Sequence, residues 1–187
     1  DGNFAVGALE FRLGDDILTL DGGFTLTVHD FILASSSSGQ IVSQNGSTLE
    51  LLNPGQVIQS DNLRTLSMDL EFFNAGAAPA ATTTLITNGT GSIDITIRND
   101  LTVNGTLDGN GSANMTWTFD GLNTQILGAG VKQLRDVTVT PGSMLTLDGV
   151  NADFGDVTTL DGSLVLNNAA TLFFTTQVDP APTVTLN

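Results

Sequence analysis

The chain has 187 residues, 40% of them apolar, and its 20 acidic against 5 basic residues give a formal net charge of −15. That apolar content supports a buried core and excludes global disorder. The charge excludes a basic stripe for phosphate backbones, so nucleic acid is not expected as a partner.

Three Glu and one Lys leave little from which to write long helices. Thr favours strands, and Gly, Asn and Asp favour tight corners, so the chain reads as all-β. There is no Cys, hence no disulfide framework and no thiolate metal site. No apolar run approaches the length of a membrane span, so membrane insertion is not expected. A start at Asp1 suits a processed mature product.

In chain order, residues 4–11 (FAVGALEF) are apolar and non-helical. Residues 24–28 alternate as a strand. The serine run 35–39 reads as a loop, and residues 47–52 as a strand closed by the turn Asn53-Pro54-Gly55. Residues 61–73 carry two patterns. Leu63, Leu66, Leu70 and Phe73 fit a helical stripe, whereas Leu66, Met68, Leu70 and Phe72 fit a strand. Thr65 and the paired Phe72-Phe73 favour the strand. Residues 1–74 are thus an irregular N-terminal β region, and the small-residue segment 75–84 reads as a linker or loop.

From residue 85 to 179 the rhythm is regular. Strands are expected at 92–97, 101–107, 115–119, 125–127, 136–139, 144–147, 156–160, 163–166 and 171–174, with Gly, Asn or Asp between them. Thr-Leu-Asp-Gly occurs four times, starting at Thr19, Thr106, Thr146 and Thr159. Each copy ends a short alternating stretch at a corner. A strand-plus-corner unit used repeatedly predicts a β-solenoid, parallel β-helix-like, with the β-sandwich as the alternative.

Residues from about 94 to 172 resemble the repeats of bacterial cell-surface β-solenoid proteins, including adhesins and autotransporter passengers. The phrasing Trp117-Thr118-Phe119-Asp120-Gly121, Thr124-Gln125-Ile126, Gly128, Leu134, Val137-Thr138-Val139 and Leu145-Thr146-Leu147 carries the likeness. It implies an exported, extracellular or cell-surface setting and brings no catalytic residues with it.

Candidate chemistry is sparse. The single histidine, His29, precedes Asp30, and neighbours on a strand point to opposite faces, so they cannot form two arms of a nucleophilic triad. The 17 Asp could in principle supply a glycosidase pair, but six of them stand in Asp-Gly corners, where Asp serves the turn. One Trp and no Tyr make a poor sugar platform for a polysaccharide-active enzyme. An enzyme is not expected. Asp148, Asp153, Asp156 and Asp161, with Asn151, crowd one region and could offer oxygens to calcium. Acceptor sequons for N-glycans stand at Asn45, Asn88, Asn104, Asn110 and Asn114.

The ends carry the sharpest expectation. Residues 183–187 (TVTLN) are strand-like behind Pro180-Ala181-Pro182, which would hold them extended and detached. An open stack leaves strand edges unpaired and apolar residues uncovered. The expected partner is therefore a copy of the same chain, joined head to tail by β-strand addition, with Phe4, Val6, Leu9, Val184 and Leu186 at the interface. A monomeric adhesin or glycan-binding module is the alternative.

Overall fold

The computed structural model describes residues 3–12, 14–109, 114–175 and 183–186. It is all-β without helix among those residues, and its strands stack in parallel as a β-solenoid of about seven turns. The sandwich alternative falls here, because every strand pairing is parallel and none is a hairpin.

The pairings resolve into three columns that the chain visits in turn. The first contains residues 4–6, 26–28, 48–51, 72–74, 100–102, 125–127, 145–148 and 163–167. The second contains 8–11, 31–34, 57–60, 83–87, 106–108, 131–135, 151–155 and 171–175. The third contains 16–20, 39–43, 66–69, 93–97, 115–119, 137–139, 158–160 and 184–186. These columns run unbroken past residues 75–84, with strands on both sides belonging to the same coil. Residues 75–81 form a corner between the first and second columns, and Ala75 and Ala81 are buried in it.

Alternation places one side chain in two inside the coil. In the third column Ile41, Met68, Ile95, Trp117 and Val137 stack rung on rung, all essentially inaccessible. In the first, Leu49, Phe73, Leu101, Ile126 and Leu147 do the same. Parallel register brings like residues to like height, so a single apolar row closes each inner wall. The opposite parity faces out. Thr96, Thr118, Thr138 and Thr159 form one such half-buried row.

Where a strand serves two columns, the chain bends through a one-residue irregularity. Strand Thr65–Asn74 shifts register between Leu70 and Phe72, which rotates Phe73 inward. This resolves the double pattern of residues 61–73. Leu66, Met68 and Leu70 follow the strand parity, and Phe73 rather than Phe72 is buried because the bend resets it.

Corners are held by Asn and Asp in left-handed conformations and by amides that reach the previous rung. Asn45 has φ 56° and its Nδ2 donates to Asp21 Oδ1 at 2.6 Å, which holds the Asp21 carboxyl below its ordinary pKa. Asn88 donates to Asp61, and Asn168 to Asp148, each at 2.6 Å. Gly39 shows the steric side of the same economy. A Cβ there would overlap the ring of Phe11, which is folded over it.

Trp117 is the largest fully buried side chain of the coil, so its removal opens the largest void. Trp117→Ala should cost about 3–5 kcal/mol of unfolding free energy by denaturant titration. Leu122, 87% exposed at a corner, should tolerate alanine within about 0.5 kcal/mol.

Candidate functional site

Two places depart from the regular stack: the terminal rungs, and a step in one corner. At the N-terminal end Phe4 is level with the buried Leu26, so it points inward, yet it is 62% exposed. It makes an edge-to-face contact with Phe24 at 6.2 Å. At the C-terminal end Leu166 is level with buried Leu147, and Phe174 with buried Phe154, yet they are 47% and 39% exposed. Among the described residues, these are core residues without a covering rung.

Of the expected interface residues, Val6 and Leu9 pack partly buried against the core beside Phe4. The backbone of 183–186 lies on strand Asn151–Leu160, with Val184 level with Thr158 and Leu186 with Leu160. It is the last rung of the third column of its own chain, rather than a detached arm. Sequence reading missed this because Pro180-Ala181-Pro182 signals an extended path but not where that path leads; those three residues lie outside the described ones.

The step lies between the first and second columns. Three residues, Gly128-Ala129-Gly130, turn this corner in one rung, and two, Gly149-Val150, turn it in the next. The lower side of 128–130 is well paired: Gly130 N donates to Val103 O and Val131 N to Gly105 O, each at 2.9 Å. The upper side is not. Among the described residues no backbone N–H of the shorter rung reaches the carbonyls of Gly128 or Gly130.

Lys132, the chain's single lysine, fills that gap. It occupies an inward position of the second column, level with Leu107, and is only 2% exposed. Its Nζ donates to Gly128 O at 2.7 Å and to Gly130 O at 2.8 Å. Among the described residues it has no carboxylate partner, and burial pushes its pKa below the ordinary lysine value of 10.5. The short rung also leaves a cavity of about 360 Å³ beside this corner, lined by Lys132, Val150, Asn151, Ala152, Asp153 and Phe173 among others. A signal for Lys132 existed in the sequence. It shares parity with Leu134 on strand Val131–Val139, although no strand was expected over 131–135.

The candidate calcium ligands are spread around the coil. Asp148 caps the first column, where it accepts from Asn168. Asp153 faces out from the second column and lines the cavity. Asp156 sits at the bend between the second and third columns, with φ 51°, ion-paired to Arg135. Asp161 opens the corner after the third, its N–H bonded to Val139 O. The coil therefore does not bring the four together, and no group of three acids or histidines that could hold a metal occurs among the described residues. His29 lies at a bend with its Nδ1 3.0 Å from Asn53 Nδ2. The sequon residues Asn45, Asn88, Asn104 and Asn114 are exposed at corners, and Asn110 lies outside the described residues.

No protein-family model matches the chain, and neither a curated protein nor a solved structure matches it. The likeness to surface-protein repeats therefore rests on residue phrasing and on the solenoid architecture alone.

With no Cys or Tyr, Lys132 is the one side chain titrating in the alkaline range just below the ordinary lysine value of 10.5. Its folded-state pKa lies below its unfolded one, so the unfolded chain binds more protons in that window. Stability should therefore rise with pH toward 10.5 and be lost as pH falls through the folded-state value. Urea titrations across this range should show the rise, and Lys132→Met should abolish the slope. It should also cost about 1–3 kcal/mol by orphaning the two carbonyls.

Proposed function

We propose that this chain is an extracellular structural subunit whose coil stacks end to end on copies of itself into a filament or surface layer. The observation that supports the reading most strongly is the exposure of inward-facing Phe4 at one end and of inward-facing Leu166 and Phe174 at the other. Both ends present the three columns in the same order, so a second copy placed on the axis continues each of them with parallel register. The last rung then offers its outer edge, including that of 183–186, to residues 4–11 and 16–20 of the next copy.

This modifies the strand-addition idea in one respect. The C-terminal strand stays on its own subunit, and the contact is rung on rung. Backbone hydrogen bonds supply direction, and the apolar row of the core, continued across the junction, supplies most of the driving force. The net charge of −15 disfavours side-by-side bundling at low ionic strength, while axial contact becomes easier as salt screens repulsion between copies. The phrasing of residues 94–172 suggests a cell-surface setting for such an assembly.

Electron microscopy of concentrated protein, imaged over a range of salt, tests this. Rods of single-coil width should lengthen with salt and show an axial subunit repeat of about 35–40 Å, seven to eight inter-strand spacings. Leu166→Asp and Phe174→Asp should each return the protein to folded monomers. A monodisperse monomer under all conditions, or rods unaffected by both substitutions, would refute the reading.

A further inference from the structure

We infer that the cavity at the corner step is a binding site for one unit of a neutral saccharide. The inference is independent of end-to-end stacking. The Lys132 ammonium has three N–H donors, and two are committed to Gly128 O and Gly130 O. Among the described residues the third finds no acceptor, and a buried ammonium without a full set of partners is costly. Asp153, whose carboxylate can only accept, lines the same cavity. Asn151 also lines it; its Oδ1 already accepts from Thr171 N at 3.1 Å, so its amide N–H groups remain as donors. Phe173, 51% exposed, supplies an aromatic surface, and Val150 and Ala152 complete an apolar wall.

These groups discriminate among ligand classes. An anion would satisfy Lys132 but meet Asp153 and a protein of net charge −15. A cation would be attracted to Asp153 but repelled by Lys132. A purely apolar ligand would leave the third N–H of Lys132 unpaired. A hydroxyl both accepts and donates, so adjacent hydroxyls on one ring can accept from Lys132 and donate to Asp153. The C–H face of such a ring packs against Phe173. The volume of about 360 Å³ is at the small end for ligand sites and suits a single ring rather than an oligomer. Recognition of one unit projecting from a longer glycan fits the same geometry.

The test is an NMR titration of the intact chain with glucose, galactose, mannose and N-acetylglucosamine. Sodium acetate and tetramethylammonium chloride serve as charged comparators. At least one sugar should give saturable shifts confined to Val150, Asn151, Ala152 and Phe173, with millimolar affinity expected of so small a ligand. Phe173→Ala and Asp153→Asn alter outward-facing residues and leave the core intact. Each should weaken that affinity about tenfold or more. Lys132→Met should abolish binding where the variant folds, and the two outward-facing variants decide the question if it does not. No saturation by any sugar up to about 0.1 M would overturn the inference at that affinity scale. So would saturation by acetate alone, or sugar shifts unchanged in both Phe173→Ala and Asp153→Asn.

Discussion

Parallel register is the constraint on which everything else in this molecule depends. Once Ile41 lies level with Met68, and Met68 with Ile95, each inward position has a like neighbour above and below. The core is then not a central cluster but three continuous walls facing one another. Backbone pairing and apolar burial are satisfied by the same placement, and a shift of one residue would turn a whole wall outward. Corners exist to keep that register, which is why their chemistry is so uniform: a left-handed Asn, Asp or Gly, and an amide reaching back one rung.

Uniform register does not require uniform rungs. Met68 and Ile95 are 27 residues apart, whereas Trp117 and Val137 are 20 apart. The difference is absorbed in corners, such as the loop at 75–81, and in bends where one strand carries an extra residue. Where a corner shortens abruptly, from Gly128-Ala129-Gly130 to Gly149-Val150, pairing fails locally and a buried cation takes over the donor role. The cavity and the unusual lysine thus have one origin. Features that distinguish this coil from a plain stack arise where its periodicity breaks, at the step and at the two ends.

The same distinction explains what could be read from the amino acids. Local signals were partly legible: alternation located much of the strand content after residue 85 but missed the second-column stretches 131–135 and 151–155, and Thr-Leu-Asp-Gly marked strand ends faithfully. But its four copies close strands of the third, second, first and third columns. The motif is a corner signal with no fixed phase, so it could not give the rung length or the number of columns. Bends hid part of the alternation in residues 4–74, where three strands, Phe4–Phe11, Thr25–Ala34 and Thr65–Asn74, each serve two columns and reset parity midway. The grouping of Asp148, Asp153, Asp156 and Asp161 was a proximity in sequence that a coil disperses over its corners. The cavity was not legible at all, since it depends on the difference between two corners one turn apart.

The most direct test of the register is intramolecular cross-linking, because the chain has no cysteine of its own. Thr118 lies level with Thr138 on the next rung and two rungs from Thr159. Adjacent parallel strands are about 4.8 Å apart, within reach of a disulfide, whereas two rungs, about 9.6 Å, are not. The double variant Thr118→Cys with Thr138→Cys should oxidise readily within one chain, and Thr118→Cys with Thr159→Cys should stay reduced. Efficient cross-linking of the second pair, or failure of the first in a folded protein, would contradict the parallel three-column coil.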